Sequence, residues 1–145
     1  MFVKILLPIL TLITAWAAGL GMIYTDWDWY ESLTKPELNP PRWLFGVVWP
    51  ILYVLMGAVS FYNAKHISLL FGVQLFLNGL WPWIFFVNQS PGLAIFIIIP
   101  LIVANVLILN KLWFNKKIGS FFSYMPYLFW LFFASYLNIS ISVIN

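Results

Sequence analysis

The chain has 145 residues, of which 63% are hydrophobic and only 8% are charged. A soluble domain carries about 25% charged residues, so this composition excludes a water-soluble globule and indicates one membrane-embedded domain, residues 1–145. The formal net charge of +3 comes from scattered basic residues, which argues against nucleic-acid binding, and the lack of cysteine excludes disulfides and thiolate metal sites.

Long charge-free runs predict an all-α integral membrane protein. A bilayer core about 30 Å thick needs roughly 20 helical residues. The run from Ile67 to Asn110 is long enough for two helices, and Asn88-Gln-Ser-Pro-Gly92 supplies turn-forming residues in its middle. We therefore predict a bundle of five transmembrane helices, at residues 5–25, 43–64, 67–87, 91–110 and 120–142.

The first apolar segment has one alternative interpretation. Lys4 precedes it and Ala15-Trp-Ala17 loosely resembles a cleavage site, as in a signal peptide. The segment is longer than the 7–15 residues of a signal-peptide core, so a membrane helix is favoured. Its small residues have small-xxx-small spacing, and we expect them to pack closely against another helix. They are Ala15, Ala17, Ala18, Gly19 and Gly21.

A polar loop at residues 26–42 follows, and it differs from the rest of the chain. It contains all four acidic residues, which are Asp26, Asp28, Glu31 and Glu37. Pro36, Pro40 and Pro41 restrict its backbone. We expect a long structured loop that the acidic residues keep in water.

The basic residues predict the orientation. With five spans, Lys35 and Arg42 lie on one side, and the other five cations lie on the opposite side; these are Lys4, Lys65, Lys111, Lys116 and Lys117. The positive-inside rule then places the N-terminus in the cytoplasm, with the polar loop and the C-terminus outside.

Three predicted helices carry stripes of aromatic and polar residues at helical spacing. The stripes are Trp49, Tyr53, Met56 and Ser60; Gln74, Asn78, Trp81 and Phe85; and Tyr127, Trp130, Ala134, Leu137 or Asn138, and Ile141. Amides within spans often hydrogen-bond neighbouring helices, so packing is one interpretation. A pocket for a flat, mostly apolar ligand is the other.

Chemistry that depends on ionisable groups is not supported. No predicted span contains Asp, Glu, Lys, Arg or His, which argues against an ion-coupled transporter. The single histidine, His66, lies in a predicted loop beside Lys65, where a solvated role is favoured over a metal or haem ligand. We therefore expect no metal site and no obligatory cofactor, and no acid/base or hydrolase site is apparent.

The motifs resemble those of the TspO/MBR family of tryptophan-rich sensory proteins and translocator proteins, also called peripheral-type benzodiazepine receptors. The resemblance extends along the whole chain. The motifs are Trp29-Tyr-x-x-Leu-x-Lys-Pro36, Asn39-Pro-Pro-x-Trp43, Phe45-Gly-x-Val-Trp49, Leu52-Tyr53, Gln74-Leu-x-Leu-Asn78-x-x-Trp81, Phe85-Phe86 and Pro126-Tyr-x-x-Trp130-x-x-x-Ala134-x-x-Leu137-Asn138.

The resemblance implies a homodimeric five-helix membrane protein whose first loop closes over a pocket. Implied ligands are tetrapyrroles such as protoporphyrin and haem, and synthetic isoquinolines or benzodiazepines. We expect a flat ligand to stack between Trp49 and Trp130. The predicted ligand-binding residues are Trp29, Tyr30, Trp49, Tyr53, Asn78, Trp81, Phe85, Trp130, Ala134 and Asn138. A sensor, scavenger or transporter is favoured. The alternative is an enzyme that degrades porphyrin in light, with Trp49 and Trp130 as candidate catalytic residues.

The chain departs from the family pattern at a few positions. Val47 replaces a frequent proline, Pro50 follows Trp49, and Pro82 replaces a frequent serine, so helix bends near the pocket are expected to differ. The sterol-recognition pattern of animal members needs a Lys or Arg after a tyrosine near the C-terminus, and none follows Tyr136. Cholesterol is therefore not expected as a ligand.

Overall fold

A computed structural model describes residues 1–145, and it is helical throughout. Its elements are α1 (Phe2–Ile23), α2 (Trp27–Ser32), α3 (Arg42–Pro82), a π-helical turn (Trp83–Val87), α4 (Pro91–Phe114) and α5 (Ile118–Ile144). Four of these segments are long and apolar enough to cross a membrane, namely α1, α3 with its π turn, α4 and α5. These four segments confirm the expectation of an all-helical, multi-pass membrane protein.

The predicted break between residues 64 and 67 is absent. Residues 43–64 and 67–87 form one continuous helical element, because no glycine or proline lies between Asn63 and Ser68 to interrupt it. The prediction of two separate helices was wrong in this respect. The predicted ends of the other long helices differ from the structure by a few residues.

The axis of α3 nevertheless reverses. The Tyr53 hydroxyl lies 2.5 Å from Asn78 Oδ1, and Gln74 Nε2 lies 3.9 Å from the sulfur of Met56. In a straight helix, residues 53 and 78 would be about 37 Å apart. The helix therefore folds back between Met56 and Gln74. We call residues 42–56 the first arm and residues 74–82 the second arm.

Side-chain contacts identify the two ends of the bundle. At one end, Asn63 Nδ2 donates to Ser120 Oγ at 2.8 Å, which brings the reversal of α3 beside the start of α5. At the other end, Asn145 is hydrogen-bonded to Thr34 in the polar loop. The loop and the C-terminal residue therefore lie at the same end. We call this the loop end.

Pro82 marks the change from α-helix to π-helix. A proline has no amide hydrogen to donate to the carbonyl of residue 78, and beyond it the backbone widens into the π turn Trp83–Val87. Phe85 and Phe86, in that turn, are both buried. The turn thus places two adjacent phenyl rings beneath the polar loop.

Candidate ligand-binding cavity

A cavity of about 750 Å³ lies between α1, the polar loop and the two arms of α3. This volume is within the range of roughly 300–1,000 Å³ that is usual for small-molecule sites. The lining residues are Leu12, Ala15, Ala18, Gly19, Met22, Trp27, Tyr30, Arg42, Trp43, Phe45, Gly46, Trp49, Pro50, Tyr53, Val54, Asn78, Trp81, Pro82 and Phe86. Neither α4 nor α5 contributes to this lining.

The middle of the α1 wall is made of small side chains, between Leu12 and Met22. Ala15, Ala18 and Gly19 line the cavity, and Ala15 and Ala18 also pack against the apolar core of the bundle, as expected for small residues at a helix contact. Gly21 is closely packed as well, because an added Cβ would meet the Trp83 indole at 3.4 Å. Trp83 Nε1 also donates to the carbonyl of Ala17 at 3.0 Å.

The cavity is open on one side. Leu12 of α1 and Val54 of the first arm both line it, and they are 68% and 70% exposed. The opening therefore lies between α1 and the first arm, on a surface that is apolar.

The polar side chains of the cavity belong to a buried hydrogen-bond network. Tyr53 donates to Asn78 Oδ1, and Asn78 Nδ2 donates to the Tyr127 hydroxyl at 2.8 Å. Tyr127 in turn donates to Gln74 Oε1 at 2.8 Å. Asn78 therefore fits both interpretations of its stripe. It hydrogen-bonds Tyr127 of α5, as in helix packing, and it also lines the cavity, as in a ligand site.

A second, much smaller void of about 20 Å³ lies beside the cavity. It is lined by Tyr30, Phe45, Trp81, Phe85, Phe86, Ala134, Leu137, Asn138 and Ile141. This volume suits roughly one water molecule. Asn138 accepts from Trp81 Nε1 at 3.0 Å and donates to the carbonyl of Pro91 at 2.7 Å, so it fixes the indole that separates the two spaces.

The ten predicted site residues therefore fall into three groups. Tyr30, Trp49, Tyr53, Asn78 and Trp81 line the cavity, whereas Phe85, Ala134 and Asn138 line only the small void. Trp29 and Trp130 line neither space.

Trp130 and Trp49 are not parallel in this structure. The Trp130 ring lies 6.4 Å from that of Trp49 at an interplanar angle of 89°, so the two indoles contact each other edge to face. A flat molecule between them would need parallel rings about 7 Å apart, twice the contact distance of roughly 3.5 Å. In this arrangement the two tryptophans do not form a sandwich. The buried indole nitrogen of Trp130 also has no hydrogen-bond acceptor.

The polar loop covers the cavity through α2. Asp26 caps this helix, since its Oδ1 accepts from the amides of Asp28 and Trp29, each at 3.1 Å. Trp27 and Tyr30 share one face of α2, and both line the cavity. Tyr30 is only 3% exposed, and its ring lies 5.4 Å from that of Phe86.

Tyr30 remains a neutral hydrogen-bond donor. Burial is the main cause that raises its pKa above the usual value, and Glu31 adds to the effect; the hydrogen bond with Asn39 and the charge of Arg42 oppose it. The phenol therefore keeps its proton at neutral pH. It donates to Asn39 Oδ1 at 3.3 Å, which links α2 to the proline-rich part of the loop.

Two contacts fasten the loop to the rest of the bundle. The backbone amide of Thr34 donates to Asn145 Oδ1 at 2.9 Å, and Asn145 Nδ2 donates to the Thr34 carbonyl at 2.9 Å. Near the start of the loop, Gln89 Nε2 lies 3.4 Å from Asp26 Oδ2. The loop is thus held to the end of α5 and to the turn before α4.

The cavity also contains residues that were not predicted from the sequence, namely Trp27, Arg42, Trp43 and the small residues of α1. The three-residue spacing of Trp27 and Tyr30 was the available signal, because it places both on one face of a short helix. This spacing favours Trp27 over Trp29 as a cavity residue. No sequence signal indicated that the first helix would contribute a wall.

Comparison with known proteins gives one consistent result. The sequence profile described as TspO/MBR family matches residues 5–144. A tryptophan-rich protein TspO from Archaeoglobus fulgidus is 37% identical over 124 residues, covering 81% of this chain and 80% of the relative. The translocator protein of Bos taurus is 32% identical over 142 residues, covering 88% and 83%. The tryptophan-rich sensory protein of Cereibacter sphaeroides is 30% identical over 135 residues, covering 88% and 84%.

Proposed function

The chain belongs to the TspO/MBR family, and we propose that it binds tetrapyrroles such as protoporphyrin or haem, or similar flat hydrophobic molecules, in the cavity beneath α2. In this role it acts as a sensor, scavenger or transporter in the membrane. Synthetic isoquinolines and benzodiazepines belong to the same class of flat, apolar ligands. A homodimer is part of the proposal, on the family resemblance alone.

The observation that carries the proposal is the lining of the cavity. Trp27, Trp43, Trp49 and Trp81 supply large aromatic faces, whereas Tyr53 and Asn78 supply polar atoms. Sites for small molecules are usually apolar with a few polar groups that set orientation. Aromatic contacts contribute about 0.5–1.5 kcal/mol beyond the burial of their surface, which favours a ligand with its own π-system.

Titration of protoporphyrin against the purified protein, followed by quenching of tryptophan fluorescence, tests this function. Trp49→Ala and Trp81→Ala are each expected to weaken binding by roughly tenfold. Trp113→Ala is the matched control, because Trp113 is 51% exposed and lies near the end of α4 outside the cavity lining. Unchanged affinity in both cavity variants would argue against the site.

We also propose five membrane crossings. With its π turn, α3 has 46 residues, about 69 Å if straight, which is more than twice a bilayer core. Because it folds back, each half provides one crossing. The loop end then faces outward and the N-terminus is cytoplasmic. Cysteines placed at Ser32 and Ser120 should react with impermeant reagents from opposite sides, and reaction from one side would contradict this topology.

A second candidate function is light-dependent degradation of porphyrin. The observation in its favour is that Trp49 lines the cavity and contacts three further oxidisable rings, those of Tyr53, Tyr127 and Trp130. An indole held against an excited porphyrin can donate an electron to it or to oxygen. Bleaching under illumination should then exceed that of free porphyrin in detergent, and it should fall in Trp49→Phe and Trp130→Phe. Equal bleaching would leave only the binding function.

A further inference from the structure

Arg42 is the only charged residue that lines the cavity. Every other lining side chain is apolar, aromatic or neutral and polar. Because the lining contains a single cation, the two ends of the cavity differ in charge. One end, beneath the polar loop, carries positive charge, and the rest is apolar.

The position of the guanidinium is fixed by its neighbours. Its central carbon lies 4.3 Å from the centroid of the Trp27 ring, a cation–π contact that holds it at the loop end of the cavity. Its nearest carboxylate is that of Glu31, where Arg42 Nη1 and Glu31 Oε1 are 3.7 Å apart. This distance is longer than a hydrogen bond, so the N–H donors of Arg42 are not saturated.

The pairing with Glu31 is also weak for another reason. The side chains of Arg42 and Glu31 are 50% and 57% exposed, so water screens their attraction. Lys35 competes for the same carboxylate, with its Nζ 3.5 Å from Glu31 Oε2. The guanidinium can therefore exchange Glu31 for another anion with little loss.

We propose that Arg42 binds an acid group of the ligand, so that the cavity selects flat, apolar molecules that carry a carboxylate at one edge. This rests on the proposed function and specifies its ligand class. The planar fork of arginine matches a carboxylate with two parallel hydrogen bonds. The acid group lies at the loop end beside Trp27, and the apolar body extends between Trp49 and the small residues of α1.

The experiment compares protoporphyrin with its dimethyl ester, which has the same ring without the charges. Affinities are measured by tryptophan quenching in nanodiscs of zwitterionic lipid, for the unaltered protein, Arg42→Gln, Arg42→Lys and Lys35→Gln. The last is the matched control, because Lys35 is a cation of the same loop that contacts Glu31 but does not line the cavity.

The unaltered protein should bind the acid about ten- to a hundredfold more tightly than the ester, as expected for a charge-assisted hydrogen bond. Arg42→Gln should bind the acid and the ester alike. Lys35→Gln should keep the preference, and Arg42→Lys should keep part of it.

Two results would overturn the proposal while leaving the proposed function in place. One is equal binding of acid and ester by the unaltered protein, and the other is a full preference for the acid in Arg42→Gln. Binding of neither form by the unaltered protein is a different result, because it defeats the proposed function and this inference with it.

Discussion

The two sides of α3 differ in how they use the space next to them. Towards α5, Tyr127 fills the gap and its hydroxyl bonds Gln74 and Asn78. Towards α1, Ala15 and Ala18 leave the gap open as part of the cavity. Both sides consist of apolar helices of similar length. Two helices of similar hydrophobicity therefore differ in the volume of the side chains that face α3, and the cavity lies on the side where Ala15 and Ala18 are small.

A second solid contact lies between α4 and α5. The Tyr124 hydroxyl donates to Asn105 Oδ1 at 2.6 Å, and both residues are fully buried. Neither lines the cavity. The polar groups on this side bond to one another, so they are available for stability and not for a ligand.

Filling the open side should have the largest effect. Ala18→Phe places a phenyl ring in the cavity and is expected to reduce protoporphyrin affinity by about tenfold or more. Fluorescence titration measures this. Ile13→Phe is the control, since Ile13 is 52% exposed and does not line the cavity. Equal affinities in the two variants would mean that the ligand binds elsewhere.

Removing one tyrosine hydroxyl from the α4–α5 contact and one from the cavity wall should affect the free energy of unfolding and ligand affinity differently. Tyr124→Phe leaves Asn105 Oδ1 without its donor, and we expect a loss of about 1 kcal/mol in the free energy of unfolding with ligand affinity unchanged. Tyr53→Phe should cost a similar amount and also alter affinity, because Tyr53 orients Asn78 in the cavity wall. Reversible unfolding in detergent and titration give the two quantities. A binding defect in Tyr124→Phe would contradict the division into solid and open sides.

Releasing the loop should have a smaller effect. Asn145→Ala removes both hydrogen bonds to Thr34, worth about 1 kcal/mol together at an exposed site. Hydrogen exchange at the Thr34 amide should become severalfold faster, and ligand dissociation should accelerate. Asn115→Ala, which removes a hydrogen bond to the Lys111 carbonyl at the end of α4, serves as the control. The same exchange rate at Thr34 in both variants would show that Asn145 does not hold the loop.

Two glycines of α3 test the close approach of α1. An alanine at Gly72 meets no atom within 4 Å, so helix propensity should raise stability by up to about 1 kcal/mol. At Gly79 the new Cβ would lie 3.3 Å from Thr14 Cγ2, which should cancel most of that gain. Thermal unfolding of Gly72→Ala and Gly79→Ala measures the difference. Equal stabilisation would show that α1 and α3 are not in close contact there.

The sequence predicted the parts of the fold that depend on local patterns. The length of the apolar runs predicted the helical segments. The spacing of Gln74, Asn78 and Trp81 predicted one buried face of the second arm. The sequence predicted a break between residues 64 and 67, whereas α3 reverses there while staying helical, because no glycine or proline interrupts it. Five site residues reach the cavity, among them Trp49 and Tyr53. The edge-to-face contact of Trp49 with Trp130, and the wall supplied by α1, depend on how distant segments pack, which spacing alone does not encode.

The most direct test is the experimental structure of the protein with protoporphyrin bound. The ligand should lie between α1 and the two arms of α3, in contact with Trp49 and Trp81 and covered by Tyr30. Trp130 should remain behind Trp49. A porphyrin found between α3 and α5, or sandwiched between Trp49 and Trp130, would contradict the assignment of the open side as the binding site.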